Sequence, residues 1–160
     1  MDLEIIDDFL SHSDCDFLIN YFKKSQETTK WNDTTFLQLE HTPITKIKVS
    51  WIRYWFRRRI EKKISIKLNY DQIVRWNIMS HKDMHRDNSY DRSNDWTVVC
   101  YLNDDYEGGE LTVEGEVIPQ KVGSLIQIPQ PEGDINARPK HGVSEVTKGT
   151  RYSLVFWNFV

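Results

Sequence analysis

The sequence predicts an α+β chain, a helical first half followed by an all-β roll, and three observations carry that expectation. In two stretches before residue 69 apolar residues recur every three or four positions. After residue 70 they gather instead in short runs rich in Val, Ile, Tyr and Trp. Turn chemistry such as Asn103-Asp104-Asp105, Gly108-Gly109 and Lys148-Gly149 separates these runs. Many short, evenly spaced strands point to a sandwich, jelly roll or barrel, with the helices packed outside it.

Ser13 is placed to cap a helix over 14–24, with Phe17, Leu18, Tyr21 and Phe22 on one face. A second helix is expected over about 45–64. Its residues Ile47, Trp51, Ile52, Trp55, Phe56, Ile60 and Ile64 follow the spacing of one buried stripe, and Pro43 stands just before it. Strands are expected over 72–79, 96–102, 110–113, 116–118, 124–128, 142–146 and 152–159.

At 160 residues the chain has the size of one domain and is long enough to bury a core without staples. Apolar residues at 39% and charged residues at 28% exclude intrinsic disorder and collagen. Nothing approaches the roughly 20 apolar residues of a membrane span. The acidic start MDLEIIDDFL lacks the basic region of a signal peptide. Cys15 and Cys100 form neither a disulfide framework nor a metal knuckle. The expectation is a cytoplasmic protein of one domain, 1–160, with no membrane partner: about 1–69 a helical support region, about 70–160 the catalytic core.

Charge is uneven. Residues 44–75 hold ten Lys/Arg against Glu61 and Asp71, a net of +8 inside a chain of net −3. That asymmetry suits either an anionic partner or the wet face of a helix. The stretch 83–116, with ten Asp/Glu against Arg86 and Arg92, suggests a basic substrate peptide.

The chemistry-bearing residues are His85-Arg86-Asp87, His141 and Arg151. Alternate side chains of a strand share a face, so His85 and Asp87 can chelate one ion together. His141 from a distant strand completes two histidines and one carboxylate, a set that leaves three metal positions open and suits non-haem Fe(II) oxygenase chemistry. A closed zinc site would want four ligands with thiolates prominent. His81-Lys82-Asp83 has the same spacing as His85-Arg86-Asp87, and spacing alone does not choose between them. Arg151 opens the last strand with Ser153 on the same face, a setting for gripping a carboxylate by paired charge-assisted hydrogen bonds.

With these residues in hand, the chain from about residue 8 to 159 resembles the Fe(II)/2-oxoglutarate-dependent dioxygenases of the prolyl 4-hydroxylase type. The motifs that carry the likeness are Gln72-Ile73-Val74-Arg75-Trp76, His85-x-Asp87 and Thr97-Val98-Val99-Cys100-Tyr101-Leu102-Asn103. They continue with Tyr106-Glu107-Gly108-Gly109-Glu110-Leu111, Pro119 with Gly123-Ser124-Leu125, and His141-Gly142-Val143 with Arg151-Tyr152-Ser153 and Trp157. In the family the tyrosine before Leu-Asn follows the first metal histidine by about the sixteen residues that separate His85 from Tyr101. The resemblance therefore selects His85 and Asp87 and leaves His81 and Asp83 at the rim.

The resemblance implies a double-stranded β-helix, a cupin-like jelly roll, with Fe(II) on His85, Asp87 and His141 between its sheets. It implies 2-oxoglutarate and O2 as cosubstrates, with ascorbate a candidate reductant. The far carboxylate of 2-oxoglutarate would meet Arg151, helped by Tyr101 and Ser153. Trp76 stands where relatives commonly have a tyrosine that helps hold the cosubstrate, and an indole offers only its N–H donor. Asp87 fills the position that halogenating relatives leave empty, which favours hydroxylation. By position, 88–95 would cover the mouth of the site and 129–139 would form another wall.

The implied reaction is hydroxylation of a C–H bond, first of all peptidyl proline in a protein or peptide, with release of succinate and CO2. Two alternatives stand beside it. A nucleic-acid-directed oxidative demethylase on the same fold would use the basic segment 44–75, but its usual second arginine, six residues after the first, is Trp157 here. A non-catalytic β-helix binding module would usually have lost a ligand or the arginine, and all four residues are present.

Overall fold

The computed structural model describes residues 3–25, 28–31, 34–38, 70–87, 94–130 and 134–159. The expected second helix, at 45–64, lies outside them.

The first half is less helical than its sequence suggests. Three strands occur in it, β1 (Glu4–Ile6), β2 (Thr29–Trp31) and β3 (Thr34–Gln38), alongside a single helix, α1 (His12–Lys24), among the described residues. The cap is Ser11, not Ser13: its backbone is extended and its hydroxyl accepts from the Asp14 amide at 3.1 Å. The serine two positions later is already inside the first turn. The buried stripe is Cys15, Leu18, Ile19 and Phe22, while Phe17 and Tyr21 stack on each other at its margin, ring centres 6.4 Å apart. The 15/18/19/22 stripe packs on Ile73, Val98, Cys100, Leu125 and Leu154 of the sheet beneath.

Ten strands follow: β4 (Tyr70–Trp76), β5 (Lys82–His85), β6 (Asn94–Tyr101), β7 (Glu107–Gly108), β8 (Leu111–Val113), β9 (Glu116–Val117), β10 (Leu125–Pro129), β11 (His141–Val143), β12 (Val146–Lys148) and β13 (Arg151–Phe159). The strand expected over 142–146 is two. The Ser144 amide still donates in register to the Glu110 carbonyl at 2.9 Å, but the Glu110 amide turns to the Ser144 hydroxyl at 2.9 Å; the ladder ends there, and the chain goes on into a separate two-stranded ribbon with β7. β5 gave no periodic signal because three of its four residues are exposed at the edge of its sheet.

The strands form two antiparallel sheets that face one another. The major sheet runs β1-β10-β6-β13-β4-β3-β2 and the minor sheet β5-β11-β8-β9. The major sheet is buried on both faces, which explains runs such as Val98-Val99-Cys100-Tyr101 that do not alternate with polar residues. One parity (Ile73, Val98, Cys100, Leu125, Leu154) packs under α1, and the other (Tyr101, Ile126, Ile128) meets Leu111, Val113 and Val143 of the minor sheet. This is the roll that the strand spacing predicted, with its single described helix outside.

Gly123 pins the turn before β10 between two other segments. Its amide donates to the Tyr101 carbonyl at 2.8 Å and its carbonyl accepts from Leu10 at 3.1 Å. Its φ is +79°, and a methyl group there would stand 2.1 Å from the Leu10 carbonyl oxygen. Gly115, at φ +83°, has open space around it. Both positions carry the backbone penalty of roughly 1 kcal/mol, but only Gly123 adds a clash with main chain. Gly123→Ala is therefore expected to lower the urea midpoint clearly more than Gly115→Ala. Equal midpoints would show that the Leu10 contact yields freely.

Candidate active site

Strand register brings the two histidines together. β11 pairs with β5 so that His141 lies directly opposite His85, although 56 positions separate them in the chain. Their rings sit 4.4 Å apart. Asp87, two residues past His85, turns its Oδ1 to the Nε2 of His85 at 3.2 Å and to the Nε2 of His141 at 3.3 Å. One ligand atom from each residue falls within 4.8 Å of the others.

The tautomers follow from the surroundings. Nδ1 of His85 lies 2.8 Å from the Asp83 carbonyl, and Nδ1 of His141 lies 3.1 Å from the Pro139 carbonyl. A carbonyl only accepts, so each Nδ1 carries a proton: a protonated ring gives its Nε2–H to Asp87, and a neutral ring presents the Nε2 lone pair to the common centre. Thr97 of β6 donates its hydroxyl to Asp87 Oδ2, leaving Oδ1 for that centre. Arg138 donates to the Asp87 carbonyl at 2.8 Å, and Arg86 donates to the Arg138 carbonyl at 3.0 Å. These two guanidinium contacts staple the segment before His141 to the segment after His85. Two imidazoles and one carboxylate oxygen, with no thiol among them, fit a divalent iron-type ion.

Burial alone would raise the Asp87 carboxyl. The hydrogen bonds from His141, His85 and Thr97 and the charge of His141 outweigh it and hold the group well below the usual carboxylate range. Burial likewise opposes charge on His141, but its hydrogen bond to Asp87 and the charge of Asp87 raise it above its ordinary value.

The other end of the site is built on the inner face of the major sheet. Arg151 of β13 opposes Trp76 of β4, and Ser153 opposes Val74 on one side and Tyr101 of β6 on the other. Arg151 is 1% exposed, pairs with no carboxylate among the described residues, and has Nε and Nη1 without hydrogen-bond partners. The rings of Trp76 and Tyr101 flank its guanidinium, 4.9 and 5.5 Å from it. Trp76 Nε1 donates to Ser153 Oγ at 3.2 Å, so Ser153 keeps its own proton to give. The Tyr101 hydroxyl is buried without a partner. Burial pushes it up to about 12 against the pull of Arg151, so it is a neutral donor at ordinary pH. A buried cation with unused donors is costly alone and calls for an anion.

Both ends open on one cavity of about 400 Å³, walled by Val74, Val99, Leu111, Val143 and Val155. The structure thus gathers His85, Asp87, His141, Arg151, Trp76 and Ser153 around one space, with Tyr101 behind Arg151. His81 and Asp83 pair with each other at 3.4 Å on the exposed outer side. Residues 88–93 and 131–133 lie outside the described set. Thr97 and Arg138 carried no role in the sequence reading. For Thr97 a signal existed, since it shares strand parity with Tyr101, whereas nothing local marks Arg138.

Comparisons with known proteins agree with this geometry. The family model of the 2OG-Fe(II) oxygenase superfamily matches residues 71–159. A PKHD-type hydroxylase from Prochlorococcus marinus is 37% identical over 81 residues, covering 46% of this chain and 34% of that protein. The match thus spans about a third of that relative's length. Among solved structures, the viral collagen prolyl hydroxylase of Paramecium Bursaria Chlorella virus-1, in its 2OG complex, superposes with a TM-score of 0.74 at 20% identity, covering 100% of this chain and 96% of that one. A Pseudomonas putida prolyl-4-hydroxylase gives 0.74 at 15% identity, covering 98% and 91%. A prolyl hydroxylase from Trichoplax adhaerens, in complex with a hypoxia inducible factor oxygen degradation domain peptide fragment, gives 0.77 at 15%, covering 98% and 83%. These likenesses establish the double-stranded β-helix fold.

Two outcomes are expected of this site. In anaerobic titrations with Fe(II) or Mn(II), His85→Ala abolishes binding, His81→Ala leaves it unchanged, and Thr97→Val weakens it roughly ten- to a hundred-fold. Loss in His81→Ala instead would move the site to the other His-x-Asp pair. The second outcome concerns pH. Without metal, the His141–Asp87 pair stabilises the fold above the ordinary Asp value of 3.8 and below the ordinary His value of 6.5. That contribution is lost as pH falls through the depressed Asp87 value or rises through the raised His141 value. Metal needs neutral His141, so the Tm increase on adding Mn(II) should grow from pH about 6 to about 8. A flat increment would exclude proton release from this pair.

Proposed function

Because the chain belongs to the 2OG-Fe(II) oxygenase superfamily, we propose that it is a 2-oxoglutarate-dependent dioxygenase using Fe(II) and O2 that hydroxylates peptidyl proline in a protein or peptide, releasing succinate and CO2. The observation that carries the reading is a single cavity with an iron-type triad at one end and an unpaired buried guanidinium at the other. A 2-oxo diacid suits it, since one end chelates metal and the other is a carboxylate. The prolyl hydroxylase folds that superpose on this one, one of them holding a peptide, support a peptide substrate.

His85, Asp87 and His141 hold the metal, with Thr97 fixing the Asp87 carboxylate and the Pro139 carbonyl fixing the His141 ring. Arg151, whose Nε and Nη1 have no hydrogen-bond partner, receives the far carboxylate, with Tyr101 and Ser153 as hydroxyl donors. Trp76 does not need to touch the cosubstrate. Its indole proton is already given to Ser153, and its ring covers the guanidinium. The aliphatic walls Val74, Val99, Leu111 and Val155 keep bulk water from the reacting atoms. Bound Fe(II), with 2-oxoglutarate and O2, supplies the two-electron oxidation that inserts oxygen into a C–H bond.

The test is succinate release by the Fe(II)-loaded protein with proline-containing peptides, read together with uptake of one oxygen atom by mass spectrometry. Stimulation is expected only when the peptide contains proline. Arg151→Gln should raise the KM for 2-oxoglutarate roughly a hundred-fold while metal affinity holds. Equal stimulation and oxygen uptake with proline-free peptides would overturn the prolyl assignment.

A further inference from the structure

Of the motif Tyr106-Glu107-Gly108-Gly109-Glu110-Leu111 only Leu111 has a part in the site as described so far, as a cavity wall, yet the motif also closes on Arg151. Gly109 has φ +61°, and the place its Cβ would occupy lies 3.0 Å from Arg151 Cδ, 3.1 Å from Val146 Cγ2 and 3.3 Å from Tyr106 Cε2. The ring of Tyr106 and the stem of Arg151 therefore meet over the bare backbone of Gly109. Tyr106 is 8% exposed, and its hydroxyl is fully buried with no hydrogen-bond partner. Burial pushes that hydroxyl above its ordinary value while the charge of Arg151 draws it back, so the hydroxyl lies within the field of the guanidinium and stays protonated.

Four buried polar atoms of Arg151 and its two tyrosine neighbours are thus without hydrogen-bond partners: Arg151 Nε, Arg151 Nη1, the Tyr101 hydroxyl and the Tyr106 hydroxyl. Each can donate, and a buried donor left unpaired is costly. A carboxylate carries two oxygens with about four acceptor sites. One anion beside the guanidinium can accept from a guanidinium N–H and from a hydroxyl together. The sequence marks Tyr106 only as the start of a family motif and gives it no role, because it sits in a loop outside the alternation that places Tyr101.

We propose that Tyr106 is a cosubstrate-binding residue, its hydroxyl donating to the same far carboxylate that Arg151 and Tyr101 hold, with Gly109 lacking a side chain so that the ring can reach it. This rests on the 2-oxoglutarate reading of the Arg151 end.

The test is a ligand-by-residue cycle. The Mn(II)-loaded wild type and Tyr106→Phe are titrated calorimetrically with 2-oxoglutarate and with 2-oxopentanoate, which has the same keto-acid head on an uncharged tail. Mn(II) affinity and far-UV circular dichroism serve as the check that the variant is folded. Loss of one hydrogen bond to a charged group should weaken 2-oxoglutarate roughly ten- to a hundred-fold and leave 2-oxopentanoate within about two-fold. Equal loss for both acids would make Tyr106 a packing residue and overturn the proposal. So would unchanged binding of 2-oxoglutarate by the variant. Failure of the wild type to bind 2-oxoglutarate at all would instead bring down the functional reading, and this inference with it.

Discussion

A guanidinium buried to 1% exposure, with no carboxylate paired to it among the described residues, is the constraint around which this fold is arranged. A charge taken out of water needs compensation, and a structural salt bridge would occupy the donors that a ligand must use. The protein compensates with π faces instead. The rings of Trp76 and Tyr101, 4.9 and 5.5 Å from the Arg151 guanidinium, stabilise the cation without consuming its N–H groups. The same preference accounts for Ser153, which accepts from Trp76 and so retains a proton to give. The site is thus built to be incomplete, with a strong preference for an anion at one point.

The opposite end of the cavity is organised by hydrogen bonds that fix orientation. Each imidazole is held by a backbone carbonyl, and Asp87 is held at one carboxylate oxygen by Thr97 and at its carbonyl by Arg138. What remains free is one lone pair from each of three residues, all directed at one centre. A ligand that chelates metal at one end and is anionic at the other satisfies both halves at once, with an apolar wall between them. Neither half supplies that selectivity alone.

Much of this was legible in the sequence, and the exceptions have physical causes. The strands of the major sheet were readable because burial on both faces makes them dense in Val, Ile and Tyr. β5 was not, since it is an exposed edge strand whose residues serve the site and leave no apolar trace. The cap of α1 fell on Ser11 and not Ser13, because only the geometry of the entering chain decides which of two nearby serines is still extended. β2 and β3 went unseen because their short threonine-containing runs look like a polar linker until β3 pairs with β4 and β2 with β3.

The sequence by itself determined the alternation of residue types, and with it the roll, the pairing of His85 with Asp87 on one side of the chain, and Arg151 with Ser153 on another. Local chemistry suffices there, because strand parity repeats every two residues. Only the tertiary structure decided which groups share a space. The register of β11 on β5 sets His141 against His85, that of β13 on β4 sets Arg151 against Trp76, and the return of the Gly108-Gly109 turn brings Tyr106 to Arg151. These are contacts between segments far apart in the chain. Their register is chosen by the packing of the whole sheet and not by any residue that takes part in them.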